Sequence, residues 1–189
     1  MRHAFLFACL AIACSAPADA QSKAERHVLA GARSETRTDA TFTLASRDFK
    51  QGGEIPVRFS AEGDGLSPSL SWSGLPSGTR TLAVMMEDPD GVSSKPFVHW
   101  LAWNIDPAAG ALTRGSVTLG ARLGKNSRGT PSYLAPRLGK SPHNFHFQVF
   151  ALDVELPLKA GASREQLLSA MNGHVLAKAD LVGIFVKPK

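Results

Sequence analysis

The chain has 189 residues, a formal net charge of +5 and 43% hydrophobic residues. That length suits one domain around one core. The positive charge forms neither a long basic run nor a basic helix face, so the footprint of a nucleic-acid binder is absent.

The first predicted element is a targeting segment. Arg2 precedes an apolar run from Ala4 to Ala13, and small residues then end in Ala18-Asp19-Ala20. A basic start, a short apolar stretch and an A-x-A end predict a secretory signal peptide over residues 1–20. The run is shorter than the roughly 20 residues that span a bilayer. Cleavage after Ala20 predicts an exported protein, periplasmic or secreted. Cys9 and Cys14 both fall inside the removed piece. The mature chain then has no cysteine for a disulfide, a nucleophile or a zinc thiolate. Ala11-Ile12-Ala13-Cys14 supports an alternative, because it loosely resembles a lipoprotein box that would anchor the protein through an acylated Cys14. Residues 21–40 are polar, highly charged and without period, which predicts an exposed linker.

From Thr41 onward, short β-type runs alternate with Gly, Pro, Ser and Asp turns. Strands are predicted at Thr41–Leu44, Ile55–Ser60, Ser69–Ser73, Thr81–Glu87, Phe97–Ile105, Phe145–Val154 and Leu181–Val186. In Phe97–Ile105 the alternation places Phe97, His99, Leu101 and Trp103 on one face and Val98, Trp100 and Ala102 on the other. Both faces are apolar, which predicts a strand inside a layered structure. One helix is predicted from a capping box, Ser163 with Gln166, followed by Leu167, Leu168, Met171, Val175 and Leu176 at helical spacing. Gly173 would lie inside that helix. Many short strands with late helix content predict a mainly β, antiparallel fold.

Several residues could carry chemistry. Asp88-Pro89-Asp90 ends an apolar strand, as a turn or as two carboxylates of one pocket. His99 lies within a strand, as a core histidine or a site residue. His143 follows Pro142 at a strand mouth. Between them, residues 120–141 form a long segment rich in Gly and Pro, a length often associated with function. No H-E-x-x-H, Cys pair, G-x-S-x-G, P-loop or G-x-G-x-x-G is present, so neither a metal nor another cofactor is expected.

From Thr41 to Lys187 the motifs gather into a familiar order. They are Phe49-x-x-Gly-Gly-x-Ile55-Pro56, Ser67-Pro68-x-Leu70-Ser71-Trp72-Ser73-Gly74-Leu75-Pro76, Asp88-Pro89-Asp90, His99-Trp100, Ala135-Pro136, Pro142-His143, Phe150-Ala151-Leu152-Asp153 and Met171-Asn172-Gly173-His174-Val175-Leu176-Ala177. In this order they resemble the phosphatidylethanolamine-binding protein family, and most nearly its bacterial Raf-kinase-inhibitor-like branch, YbhB/YbcL. The resemblance implies a domain over residues 41–189, with a large antiparallel sheet packed on a smaller one and helix near the C-terminus. It also implies a pocket lined by Asp88, Asp90, His99, Pro136 and His143 that binds small anions such as phosphate or phosphoryl headgroups. The implied protein is a non-catalytic binder that regulates or inhibits a partner protein. The alternatives are a metal- or histidine-assisted hydrolase using the same pocket, and a protein-interaction module in which the pocket is secondary.

The chain departs from the family at Gly91-Val92, where a second proline is usual, and at Ala135-Pro136, where Gly-Pro is usual. The stretch between Pro136 and Pro142 is shortened. His143-Asn144-Phe145 stands for His-Arg-Tyr, so the arginine that would balance the aspartates is missing. Anion binding is then expected to rest on histidines whose pKa the two aspartates raise.

Overall fold

The computed structural model describes residues 28–91, 95–137 and 141–185. The expected signal peptide, the Cys14 box and the first part of the expected linker lie outside these residues. Among the described residues the strands are β1 (Thr43–Ala45), β2 (Gly53–Glu54), β3 (Leu70–Ser73), β4 (Thr81–Asp88), β5 (Phe97–Ile105), β6 (Ala111–Leu112), β7 (Arg122–Leu123), β8 (His143–Leu152) and β9 (Val175–Phe185), with helix α1 at Arg164–Met171. They form a six-stranded sheet, β2-β9-β8-β4-β5-β7, and a three-stranded sheet, β1-β3-β6. Pairing is antiparallel except between β2 and β9. A large sheet on a smaller one, mainly β with one helix late in the chain, is the expected architecture.

The large sheet is buried on both faces. Leu82, Val84, Met86, Trp100, Phe147 and Val149 pack toward the small sheet around Trp72. Ala83, Met85, Leu101, Trp103, Phe150 and Leu152 pack toward Leu167, Leu168 and Met171 of α1. Every residue of β4 is buried, so this strand has no solvent face on which polar residues could alternate.

Three expectations need correction. Ile55–Ser60 is not a strand: Val57–Phe59 makes a single 3-10 turn with Phe59 buried. Pro56 supplies the preset φ for that turn, and Ser60 Oγ donates to Val57 O at 2.7 Å to close it. The helix ends at Met171 rather than running through Leu176. Its capping box forms as expected, but Gly173 takes φ +80°, a left-handed conformation that stops the helix and sends Val175 and Leu176 into β9.

The third correction concerns residues 28–40, expected within the exposed linker. Ala30 and Thr36 are buried. The Ala30 amide donates to Glu87 Oε2 at 2.7 Å, and the Gly31 amide donates to Gln148 Oε1. Lys178 Nζ donates to Gly31 O at 2.6 Å. Composition predicted exposure because these contacts use backbone amides and carbonyls, which any side-chain pattern carries equally.

A β-bulge sets the site. Met86 lies opposite Trp100 and Glu87 lies opposite Val98, so His99 has no partner on β4. The extra residue breaks the alternation expected for β5. Leu101 and Trp103 stay on the α1 face, while His99 turns to the other side beside Phe145, at 5.2 Å between ring centroids.

Candidate functional site

Three chain segments meet at one end of the large sheet: the end of β4, the bulged start of β5, and the start of β8. They enclose a cavity of about 620 Å³ lined by Asp88, Gly91, Phe97, His99, Arg128, Leu134, Ala135, Arg137, His143 and Phe145. Asp88, His99 and His143 therefore share one space, although 55 positions separate Asp88 from His143. Asp90 and Pro136 are not among its lining residues. Asp90 is exposed, and its Oδ2 accepts from both the backbone amide and the side-chain amide of Asn144, each at 2.8 Å. Those bonds, the backbone one first, hold the Asp90 carboxyl below the usual carboxylate range. Asp90 thus ties the loop after β4 to the start of β8. Pro136 is buried, its carbonyl accepts from the Ala61 amide at 2.8 Å, and its neighbours Ala135 and Arg137 line the cavity.

Asp88 is 6% exposed and both of its oxygens are engaged. Oδ1 accepts from the Asp90 amide at 2.8 Å, and Oδ2 accepts from His143 Nδ1 at 2.8 Å. A carboxylate accepts only, so His143 carries its proton on Nδ1 and leaves Nε2 for other partners. His99 is fixed in the same way. Leu134 reaches back to the bulged residue twice: its amide donates to His99 O at 2.9 Å, and its carbonyl accepts from His99 Nδ1 at 2.7 Å. Nε2 of neutral His99 is then an acceptor.

Burial pushes the His99 pKa below the usual histidine range, helped by His143, while the Leu134 carbonyl and Asp88 push the other way. This corrects the expectation for His99, whose burial outweighs its nearby carboxylate. The cavity walls are aromatic: Phe97 and His99 lie 5.0 Å apart, and Phe145 stacks on His143 at 6.4 Å.

The positive charge comes from residues that sequence reasoning missed. Arg128 and Arg137 line the cavity and are exposed. The long segment that carries them is held at several points. The Asn126 side chain accepts from the Arg128 and Thr130 amides and donates to Ser132 O at 3.0 Å. The Ser127 amide donates to Val98 O at 2.9 Å, and Ser127 Oγ accepts from the Val98 amide at 2.8 Å. Cations in a long Gly- and Pro-rich segment were the one signal for these two arginines. Among the described residues, no group of three or more His, Cys, Asp or Glu is placed to hold a metal ion.

Comparisons with known proteins agree with the fold. The sequence model of the phosphatidylethanolamine-binding protein family matches residues 45–186. A UPF0098 protein of Methanothermobacter thermautotrophicus is 38% identical over 147 residues, covering 75% of this chain and 97% of that one. A Mycobacterium tuberculosis protein named as a lipoprotein, LppC, is 36% identical, covering 76% of this chain and 71% of that one. Among solved structures, a phosphatidylethanolamine-binding protein homologue from Chlamydia trachomatis superposes with a TM-score of 0.75 at 34% identity, covering 79% of this chain and all (100%) of that one. YbcL of E. coli superposes with a TM-score of 0.72 at 27% identity, with the same 79% and 100% coverage. With its fold, its motifs and most of its length matched, the chain belongs to the phosphatidylethanolamine-binding protein family.

Proposed function

We propose that this protein is a non-catalytic binder of a small anionic ligand, held in the cavity between Asp88, His99 and His143 and the two arginines. The observation that carries this reading is the charge balance of the cavity. Both Asp88 oxygens are already engaged, by the His143 ring and a backbone amide, whereas Arg128 and Arg137 line the same space without an ion-pair partner among the described residues. Positive charge at the mouth of a partly apolar cavity attracts an anion and orients it. Membership of a family of small-ligand binders supports the same reading.

Calorimetric titration of the full chain with inorganic phosphate at pH 7.5 tests it. His143→Ala removes one hydrogen-bonding group facing the ligand, worth about 1.5–3 kcal/mol if charge-assisted. The expected result is phosphate binding that weakens roughly ten- to a hundredfold in the variant. Phosphate that does not bind, or binds both proteins equally, would sink the reading.

One observation favours a second reading. The Asp88–His143 hydrogen bond orients an imidazole as a general base requires. Turnover of a chromogenic ester or phosphate that disappears in His143→Ala would replace binding by hydrolysis.

Export belongs to the same proposal. The pattern of residues 1–20 supports it, as does similarity to a protein named as a lipoprotein. Intact mass of the protein recovered from its producing cell separates cleavage after Ala20 from acylation at Cys14, and an unprocessed chain would overturn both.

A further inference from the structure

The mouth of the cavity carries more than a general attraction for negative charge. Neither guanidinium has a hydrogen bond or ion pair with another described residue. Two other arginines of the fold are placed differently: Arg114 is paired with Asp48, and Arg164 with Glu87. Arg128 and Arg137 nevertheless do not sit on free tails. The Asn126 and Ser127 contacts fix the backbone at Arg128, and the Pro136 carbonyl bond to Ala61 fixes the residue before Arg137. Two charged forks are thus held at one opening, with no ion-pair partner among the described residues.

The inner end of the cavity adds a second condition. A carbonyl accepts only, so the contact from His99 Nδ1 to Leu134 O places the ring proton there and leaves Nε2 as an acceptor. Burial, which keeps the ring neutral, acts in the same direction. The matching ligand therefore brings enough negative charge for two guanidiniums and a donor for a bare ring nitrogen.

We infer that the cavity selects phosphomonoesters and inorganic phosphate over phosphodiesters, and that Arg128 and Arg137 set this preference. The inference rests on the small-anion reading above and narrows it. A phosphomonoester carries roughly −1.5 to −2 charge near neutral pH, on three terminal oxygens, with a second pKa of about 6. Its dianion satisfies both guanidiniums through parallel N–H···O bonds. Its monoanion also has a P–OH that donates to His99 Nε2. A phosphodiester has a single negative charge, fewer terminal oxygens and no P–OH. It balances only one of the two guanidinium charges and offers His99 no donor. The walls of Phe97, Leu134 and Phe145 accept the carbon part of either ester, so the arginines and His99, not the walls, discriminate.

The test uses one headgroup in two esters. The full chain is titrated by calorimetry with phosphorylethanolamine, with its diester glycerophosphorylethanolamine and with inorganic phosphate. Vesicles containing phosphatidylethanolamine are a fourth probe, since a free phosphoryl group and a lipid headgroup share chemistry. The expected result is at least about tenfold tighter binding of the monoester and of phosphate than of the diester or the vesicles, the effect of about 1.4 kcal/mol. Arg128→Gln with Arg137→Gln should bring the monoester down to the diester level. Arg47→Gln, at an exposed arginine that does not line the cavity, should leave all affinities unchanged. Both cavity arginines are exposed, so the double variant is expected to fold.

Equal affinity for the two esters, or a preference that survives the double variant, overturns the inference. The small-anion reading still stands in that case if His143→Ala weakens phosphate. Binding of no phosphoryl compound overturns both.

Discussion

Replacing Glu87 by leucine removes the acceptor at the centre of a buried network on the face of the sheet opposite the cavity. Glu87 is 0% exposed. Its Oε2 accepts from the Ala30 amide at 2.7 Å and from Gln148 Nε2 at 2.8 Å, and its Oε1 accepts from Arg164 Nε. Arg164 Nη2 continues the chain of contacts to Val28 O at 2.8 Å. Without the carboxylate, Nε of a nearly buried guanidinium and the buried Ala30 amide lose their acceptor together, and the guanidinium keeps only Glu165 and the Val28 carbonyl. Breaking a buried ion pair from one side costs about 3–5 kcal/mol. An orphaned amide adds about 1–3 kcal/mol unless the segment detaches and finds water. Detachment of residues 28–36 caps the loss, so the expected destabilisation is about 3–5 kcal/mol, a large share of a typical total of about 5–15 kcal/mol. Urea unfolding measures it as a lower midpoint, and rapid proteolysis ahead of Thr36 reports the detached segment. Arg164→Leu should cost a similar amount. The double variant Glu87→Leu with Arg164→Leu should cost less than either alone, because no charge is stranded. Glu87→Leu within about 1 kcal/mol of wild type, or a double variant equal to the sum of the singles, would refute the reasoning.

Two further predictions follow from packing and from titration. Gly183 on β9 has no room for a side chain: a Cβ there would lie 2.4 Å from Ile55 Cγ1 and 2.7 Å from Phe49 Cε2. Gly183→Ala should lower stability by about 1–3 kcal/mol through overpacking, and an unchanged melting temperature would show that Ile55 can yield. His99 is held below the usual histidine range by burial, with Asp88 and His143 as the titratable groups facing it. Its contribution to stability is fully present above an unfolded pKa of about 6.5 and falls as pH drops toward the folded value, because the unfolded chain then binds the extra proton. His146, raised by its hydrogen bond to Asp180, works in the opposite sense and loses its contribution as pH rises. The comparison is therefore between wild type and His99→Gln at pH 7.5 and 5.5. The variant should lose less stability on acidification, and parallel losses would remove His99 from the account.

Much of the site was legible because chemistry-bearing residues fall within local motifs. Asp88, His99 and His143 stand beside proline and tryptophan in short, recognisable strings, and the structure brings them together. Asp90 and Pro136 belong to the same strings but do not line the cavity. Which of two neighbouring residues faces a space depends on the path of the chain, not on the string. Arg128 and Arg137 were missed because residues 120–141 have no period. Their position is set by side-chain and backbone bonds to Val98, His99 and Ala61, far away in sequence.

The sequence by itself determined the β class, the layered arrangement and the capped helix, because these follow from apolar spacing and local hydrogen bonding. Three things were decided only by tertiary structure. The bulge opposite Met86 and Glu87 turned His99 away from Leu101 and Trp103, since register belongs to a pair of strands and not to one. The docking of residues 28–40 came from amides that found a buried carboxylate. The neutral tautomer of His99 came from burial and a single carbonyl 35 positions away. Each is a relation between distant segments, and a pattern confined to one segment does not contain it.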